Sequence, residues 1–201
     1  PLIAWRLVGR LVRLFRTERP VAVIGTGGYA SAPVVWWAAR RGIPTAIQEQ
    51  NAYPGLATRR LARIVDHVYL GLPEARARIR PGRRTTVFDT GNPIVPPAPD
   101  RRAAAMARFG LDGSRPVLLV TGGSQGALAI NQAVARWLDA GDARDVAVIW
   151  VTGRGTHARF AAHHRPPDGG GIDFLDPMAD ACAVADLALA RAGMITVAEL
   201  C

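Results

Sequence analysis

The sequence predicts an α/β protein made of two Rossmann-like halves, each with a parallel sheet. Short apolar runs alternate with helical patterns along the chain, and strands alternating with helices of this length form parallel sheets covered on both faces. Two glycine-rich loops, 25–33 and 121–127, each follow an apolar run and open a helical pattern. Between them lies the proline-rich stretch 93–99, which continues neither a helix nor a central strand. We therefore predict two domains, 1–95 and 96–201.

In the first half, an amphipathic pattern predicts a helix over 2–16. Four short runs of apolar and β-branched residues follow, and strands favour such residues. The helical patterns between them start shortly after glycine or proline, which commonly mark the connections. Strands are expected at 21–24, 45–48, 67–70 and 86–88, with helices at 33–41 and 56–65.

The second half repeats this alternation with longer helical patterns. Strands are expected at 117–121, 146–151, 172–174 and 187–190, and helices at 100–109, 125–140, 156–164, 177–184 and from about 195. The chain starts and stops inside helical patterns, so we expect a piece of a longer protein with both domains incomplete.

The glycine loops carry the clearest functional signal. A strand that ends in glycines and turns into a helix leaves backbone N–H groups free at the positive end of the helix dipole, where phosphate binds. In open α/β sheets the ligand lies beyond the carboxyl ends of the strands, where segments 48–51 and 191–199 are also expected. Two such loops predict two halves that face one phosphate-bearing ligand.

Composition excludes several classes of protein. The chain is 49% hydrophobic and 20% charged, which fits a globular protein, and it lacks an uncharged apolar run of about eighteen residues that could span a membrane. No signal peptide is expected. Cys182 and Cys201 are the only cysteines, which argues against a disulfide framework and for a reducing compartment. No Cys/His cluster has zinc-ligand spacing, and the adjacent His163 and His164 are interpreted as surface loop.

The net charge of +9 is concentrated in the first half. Residues 1–95 carry 15 Arg against 5 acids, a balance of +10, whereas residues 96–201 carry 10 Arg against 11 acids, a balance of −1. These arginines neither interleave with a stacking aromatic platform nor form a dense tract. We therefore expect no specific nucleic-acid binding.

The first helix places Trp5 beside a stripe of arginines that includes Arg6 and Arg10. A cationic stripe next to an apolar one is typical of a helix that lies on an anionic membrane surface. An ordinary core-packing helix with a solvated basic face explains the same pattern, and from these residues alone it is the preferred interpretation.

Six short motifs occur in order and with fitting spacing over about 175 positions. They are Gly-Gly-Tyr-Ala-Ser at 27–31, Glu-Gln-Asn at 49–51, Gly-Asn-Pro at 91–93, Gly-Gly-Ser-Gln-Gly-Ala at 122–127, Phe-Leu-Asp-Pro-Met at 174–178, and Arg-Ala-Gly at 191–193 followed by Thr-Val-Ala-Glu at 196–199. Together they resemble the MurG family, the peripheral-membrane glycosyltransferases that complete the lipid-linked peptidoglycan precursor.

The resemblance implies an inverting transferase of the two-domain GT-B fold that needs no cofactor or metal, since glycine-loop amides and a helix dipole can stabilise the departing diphosphate. It would move N-acetylglucosamine from UDP to the N-acetylmuramoyl-pentapeptide carried on undecaprenyl diphosphate. Domain 96–201 would bind the donor, and domain 1–95 the acceptor and the anionic cytoplasmic leaflet. With this context Trp5, Arg6 and Arg10 become candidate membrane-docking residues. The implied location is peripheral, on the cytoplasmic side of the plasma membrane, with a role in cell-wall growth, shape and division.

The resemblance also implies a donor site. Glu199 matches the glutamate that accepts hydrogen bonds from the ribose hydroxyls, and Leu175 matches the residue whose main chain contacts the uracil edge. Asn51 matches the asparagine that reaches the sugar and acceptor. The remaining candidates contribute backbone or loop contacts: Ser124, Gln125, Met194, Ile195, Thr196, Val197 and Ala198, with the loop residues Gly27, Gly28, Tyr29, Gly122, Gly123 and Gly126.

No catalytic residue is assigned. Glu49 is a candidate base on geometry alone, but a buried structural carboxylate is the preferred interpretation. The sequence departs from the family pattern at Gln48, where His is common, at Ala192, where Ser is common, and at Val95, where Arg is usual. The last change removes a guanidinium that could contact phosphate. Another GT-B glycolipid glycosyltransferase, a nucleotide-sugar epimerase and a non-catalytic UDP-sugar-binding homologue remain alternatives. A nicotinamide-dependent oxidoreductase is disfavoured because 121–127 lacks its glycine spacing.

Overall fold

The computed structural model describes residues 2–97, 99–163 and 169–201, without the side chains of residues 2–5, 7 and 99. The chain divides into two compact units, Pro1–Pro93 and Ile94–Cys201. Each unit contains a four-stranded sheet whose paired strands are all parallel. The predicted α/β class with two parallel sheets is therefore confirmed.

The first unit has the strand order β1-β2-β3-β4, in which each strand pairs with the next one along the chain. Its elements are α1 (Leu2–Glu18), β1 (Val23–Gly25), α2 (Ser31–Ala39), β2 (Thr45–Glu49), α3 (Leu56–Leu61), β3 (His67–Leu70), a 3₁₀ helix (Pro73–Arg78) and β4 (Thr86–Asp89).

The two faces of this first sheet differ in burial. Ile47 and Val68 point into a core that α2 and the end of α3 complete. On the opposite face Ile24 is 67% exposed and Phe88 is 39% exposed. Strands added sequentially in one direction place right-handed crossovers on the same face. The expected cover on both faces is therefore absent at the edge strands β1 and β4, whereas Ala46 of β2, on the same face as Ile24, is buried.

The second unit has the strand order β7-β6-β5-β8. Its elements are a 3₁₀ helix (Pro99–Arg101) leading into α4 (Arg102–Phe109), β5 (Val117–Thr121), α5 (Leu128–Asp139), β6 (Ala147–Val151), α6 (His157–Phe160) followed by a 3₁₀ helix (Ala161–His163), β7 (Gly169–Ile172), α7 (Ala179–Val184), β8 (Leu187–Ala190) and α8 (Met194–Leu200).

In this unit both faces of the sheet are buried at β5 and β6, whereas the outer strand β8 is largely exposed. Alternate residues of β5 and β6 point to opposite faces, so Leu119 and Ile149 join one apolar cluster while Val120 and Trp150 join the other. The chain moves outward from β5 to β7 and then returns to β8 on the far side of β5. Because this reversal changes the side on which crossovers lie, helices cover both faces of β5 and β6, as the sequence predicts.

Several predicted boundaries were wrong. Helix α5 begins at Leu128 rather than at 125, because Gly126 has a φ of +78° that a right-handed helix does not tolerate. Strand β7 is Gly169–Ile172 rather than 172–174, since its glycines carry no apolar signal. Helix α3 ends at Leu61 instead of 65. His164 lies outside the described residues.

Candidate functional site

The donor-site candidates of the second unit lie where its strands end. Because all four strands are parallel, the loops that follow them emerge at one edge of the sheet. Ser124 and Gln125 are exposed in the loop after β5, and Leu175 follows β7. Residues 191–193 connect β8, which pairs directly with β5, to α8. The structure thus brings the candidate loops and the start of α8 to one edge, whereas Glu199 lies near the other end of α8.

The loop after β5 is packed too tightly for side chains at two of its glycines. A Cβ added to Gly122 would lie 2.2 Å from the amide nitrogen of Ala127. A Cβ added to Gly126 would lie 2.1 Å from the carbonyl oxygen of Thr152, and one on Gly153 would lie 2.1 Å from the Gly126 nitrogen. The loops after β5 and β6 are therefore interlocked through their backbones.

We expect Gly126→Ala to destabilise the second unit by about 2 kcal/mol, because the new Cβ meets a carbonyl oxygen at a φ that disfavours L-residues. Thermal unfolding of the full-length protein measures this change. The matched control is Gly155→Ala, since a Cβ there would lie at an ordinary 3.4 Å from the Gln125 carbonyl oxygen. Equal effects of the two substitutions would contradict the interlock.

A buried amide holds the loop after β6 in place. Asn131, on α5, is fully buried and donates from Nδ2 to the carbonyl oxygen of Thr152 at 2.7 Å and to the hydroxyl of Thr156 at 2.9 Å. Its Oδ1 accepts the indole N–H of Trp150 at 2.9 Å. Sequence reasoning missed this network, because its members are 19 to 25 positions from Asn131 and no local pattern links them.

Leu175 and Glu199 differ in solvent exposure. The Leu175 side chain is 6% exposed, so only its main chain is available to a ligand. Glu199 is partly buried on α8, and burial raises the pKa of its carboxyl. Burial also raises the pKa of the Cys182 thiol to about 11, with a smaller contribution from Glu199. Cys182 is therefore a protonated packing residue, and Glu199 lies close enough to influence it.

The first unit has its own cavity at the strand ends, with a volume of about 360 Å³. It is lined by the first glycine loop, the end of β2 and the start of α3, and among the lining residues are Gly27, Gly28, Tyr29, Glu49 and Asn51. The serine that begins α2, Ser31, donates its hydroxyl to the carbonyl oxygens of Gly27 and Gly28 at 2.8 and 3.0 Å. The loop is thus held at the cavity wall by the following helix.

Glu49 organises the loop that carries Asn51. Its Oε1 accepts the backbone N–H and the side-chain amide of Asn51 at 3.1 and 2.9 Å, and its Oε2 accepts the N–H of Gly55 at 3.1 Å. Burial raises the pKa of Glu49, but hydrogen bonds from Thr58, Asn51 and Gly55 together outweigh it and lower the pKa overall. A buried carboxylate with both oxygens engaged is a structural group, which is the interpretation the sequence favours.

This arrangement predicts a pH effect on the first unit. A lowered pKa in the folded state means that Glu49 stabilises the fold above its ordinary value of 4.5, and that this stabilisation disappears as the pH falls through the folded value. We expect Glu49→Gln to be less stable at pH 7 and to lose stability less steeply on acidification. Chemical unfolding of both full-length proteins between pH 7 and pH 3 measures how the free energy of unfolding changes with pH. Equal pH dependence of the unaltered protein and Glu49→Gln would contradict the stabilising role of the Glu49 carboxylate. Asp66, whose pKa is lowered chiefly by the backbone N–H of Thr45, accounts for part of the remaining slope.

The Gly-Asn-Pro motif braces the same loop from the end of β4. Asn92 donates from Nδ2 to the carbonyl oxygen of Gln50 at 3.3 Å, and its Oδ1 accepts the Gln48 amide at 3.4 Å. A Cβ on Gly71 would lie 2.1 Å from that Oδ1. The glutamine at position 48 is therefore part of the support for the cavity wall.

Both halves of the chain are similar to known glycosyltransferase domains. Residues 1–70 match the family model of the glycosyltransferase family 28 N-terminal domain, and residues 117–201 match that of the C-terminal domain. A transferase of Chlorobium limicola, named UDP-N-acetylglucosamine–N-acetylmuramyl-(pentapeptide) pyrophosphoryl-undecaprenol N-acetylglucosamine transferase, is 40% identical over 93% of this chain and 51% of its own length. The Salinibacter ruber protein of the same name is 41% identical over 98% of this chain and 51% of its own.

Two solved structures are similar to this chain. The crystal structure of Acinetobacter baumannii MurG matches with a TM-score of 0.55 and 27% identity, over 93% of this chain and 51% of that one. The chain belongs to the MurG family of glycosyltransferase family 28. An S. aureus MnaA–UDP co-structure matches with a TM-score of 0.64 and 16% identity, over 96% of this chain and 59% of that one, which supports the GT-B fold alone. The chain spans about half the length of the curated relatives it matches.

Two departures from the MurG-family pattern lie at exposed positions. Val95 is 58% exposed at the start of the second unit, and Ala192 is exposed beside Gly193 in the loop before α8. Neither side chain can carry charge. Arg191, the first residue of the Arg-Ala-Gly motif, is exposed in the loop after β8, and Arg154, which sequence reasoning did not single out, is exposed in the loop after β6.

The MurG-family membrane-docking candidates lie on α1, where Arg6 and Arg10 are exposed. The side chain of Trp5 lies outside the described residues. At the other end of α1 a cavity of about 340 Å³ is lined by three arginines, Arg16, Arg19 and Arg41, together with Trp37. In the described part of the chain no helix is long and apolar enough to cross a membrane. The described residues also contain no group of three or more His, Cys, Asp or Glu side chains that could hold a metal ion.

Proposed function

We propose that the protein transfers N-acetylglucosamine from UDP to the 4-hydroxyl of N-acetylmuramoyl-pentapeptide linked to undecaprenyl diphosphate, with inversion at the anomeric carbon. The observation that carries the proposal is the joining, in one sheet, of the glycine loop after β5 with the Glu199 helix after β8, since β5 and β8 are adjacent. The relatives at 40 and 41% identity carry the name of this activity.

In this proposal the second unit holds the donor. Glu199 accepts hydrogen bonds from the two ribose hydroxyls, because a carboxylate is suited to a vicinal diol. The main chain at Leu175 contacts the uracil edge, and backbone groups of 194–198 lie on the diphosphate side. The loop that contains Ser124 and Gln125 precedes α5, whose N-terminal end favours the negative charge of the diphosphate. This donor site needs no metal or cofactor.

The first unit holds the acceptor in its 360 Å³ cavity. Glu49 binds the Asn51 amide nitrogen, so the amide oxygen is left to accept a sugar hydroxyl. Gly27, Gly28 and Tyr29 line the same cavity. Because both oxygens of Glu49 already accept hydrogen bonds, we assign it no proton transfer, and no catalytic base is named.

The same unit docks on the cytoplasmic leaflet. Its arginines stand out along α1, and two more lie over the tryptophans of α2: the guanidinium of Arg40 is 4.8 Å from the Trp36 ring and that of Arg41 is 3.8 Å from the Trp37 ring. Arginine beside tryptophan suits the interface between an anionic headgroup layer and the acyl chains. The protein is thereby attached peripherally to the membrane, where it acts in peptidoglycan synthesis.

The experiment that tests this function uses the full-length protein, UDP with labelled N-acetylglucosamine, and a short-chain analogue of the muramoyl-pentapeptide lipid. Transfer to this acceptor supports the proposal. Donor binding with transfer only to another glycolipid would replace the acceptor. Donor binding without any transfer would identify a non-catalytic UDP-sugar-binding homologue, which the uncharged Val95 favours, and Val95→Arg is then the variant to assay.

A further inference from the structure

Two arginines border the glycine loop after β5 from opposite neighbouring loops. In the loop after β8, Arg191 lies so close that a Cβ added to Gly123 would be 3.2 Å from its Nη2. In the loop after β6, the backbone N–H of Arg154 donates to the carbonyl oxygen of Ser124 at 3.4 Å. The two residues therefore contact adjacent positions, 123 and 124, of one loop.

The backbone that carries Arg154 is fixed on both sides. Gly153 packs against Gly126, and Asn131 binds the Thr152 carbonyl oxygen and the Thr156 hydroxyl. The guanidinium of Arg154 lies over the Phe174 ring, 4.1 Å from its centre. Phe174 is the residue immediately before Leu175, so Arg154 lies beside the segment assigned to the uracil.

Neither arginine has its charge neutralised by a carboxylate within the described ranges. Other arginines of this unit do form ion pairs: Arg101 and Arg108 bind Asp180, and Arg102 lies 3.6 Å from Asp186. Residues 96–201 carry a balance of −1, so two unpaired cations beside one loop are a local excess of positive charge in a nearly neutral unit.

A nucleotide diphosphate fits this excess. Guanidinium groups bind phosphate oxygens through paired, charge-assisted hydrogen bonds, and the diphosphate gains negative charge as it leaves the sugar. We propose that Arg154 and Arg191 together bind the diphosphate of the donor and stabilise its departure. This inference rests on the proposed donor site in the second unit.

The test compares UDP with uridine, which lacks the diphosphate, by calorimetry on the full-length protein. Arg154→Ala and Arg191→Ala are each expected to weaken UDP binding by about tenfold, because each removes a charged hydrogen-bond donor, and to change uridine binding by less than about twofold. Arg159→Ala is the matched control, since Arg159 is exposed on the helix that follows the same loop. Arg154→Gln, which keeps most of the side-chain length, repeats the test if the alanine variant is unstable.

Equal losses of UDP and uridine affinity in these variants would overturn the proposal, because they would assign the arginines to uracil binding or to loop structure. Unchanged UDP affinity would overturn it as well. The proposed donor site fails separately, if the unaltered protein binds neither UDP nor uridine. If Arg154→Ala still transfers N-acetylglucosamine to the lipid analogue and binds UDP as tightly as the unaltered protein, the inference about the arginines is wrong. The proposed function would stand in that case.

Discussion

Glu199→Ala is expected to lower donor affinity and transfer at least about a hundredfold in the full-length protein. The carboxylate is proposed to accept two ribose hydrogen bonds, and a hydrogen bond to a charged group contributes about 1.5–3 kcal/mol. Removing both corresponds to about 3 kcal/mol or more, and every 1.4 kcal/mol is about tenfold in affinity. Calorimetry with UDP and the transfer assay measure the two quantities.

A neutral isostere at the same position separates function from stability. Burial raises the pKa of Glu199, so the folded state disfavours its ionised form, and this penalty grows as the pH rises through the raised value. We expect Glu199→Gln to bind the donor poorly and yet to unfold at a higher temperature at pH 8. Donor affinity of the unaltered protein should fall as the pH drops through the same value. A glutamine variant that binds UDP normally would contradict the ribose contact.

Asn131→Ala is expected to destabilise the second unit by about 3–4 kcal/mol. The substitution removes three hydrogen bonds of a fully buried side chain and leaves the Trp150 indole N–H without its partner. An unsatisfied buried donor costs about 1–3 kcal/mol, and the vacated volume adds a cavity cost. Urea unfolding monitored by tryptophan fluorescence measures the change.

Gln132→Ala is the matched control for Asn131, because it removes an amide from the next, exposed position of α5. Its effect should stay within about 0.5 kcal/mol, as for other surface substitutions. At urea concentrations too low to unfold Asn131→Ala, this variant should still bind the donor more weakly, because the loop after β6 loses its support. If Asn131→Ala is as stable as the unaltered protein, the hydrogen bonds of Asn131 do not stabilise the second unit.

The strands were largely predictable because their signal is local. Thr45–Glu49, His67–Leu70 and Val117–Thr121 are short apolar runs, and they lie within one residue of their predicted bounds. Helix starts were less predictable. The helix after the second glycine loop begins three residues later than predicted, because a positive φ at Gly126 is imposed by contact with Thr152, far along the chain.

The candidate site divides in the same way. The glycines and the residues beside them were predicted from motifs at fixed spacing. Arg154 was missed because its significance depends on two contacts, with Phe174 and Ser124, that are 20 and 30 positions away. The buried Asn131 was missed because nothing in a helical pattern distinguishes a buried amide from an exposed one. Such residues can be identified only once the order of the strands in the sheet is known, because that order brings distant segments into contact.

The backbone interlock between the loops after β5 and β6 also determines which positions are open to engineering. A Cβ at Gly122, Gly126 or Gly153 would overlap backbone atoms, so substitutions at these positions in a mutagenesis library are expected to destabilise the second unit, as is expected of Gly126→Ala. Ser124 and Gln125 are exposed on the same loop and can vary without disturbing that contact. In the proposed donor site, these two side chains are therefore the first positions to vary, because the backbone around them stays constant while they change.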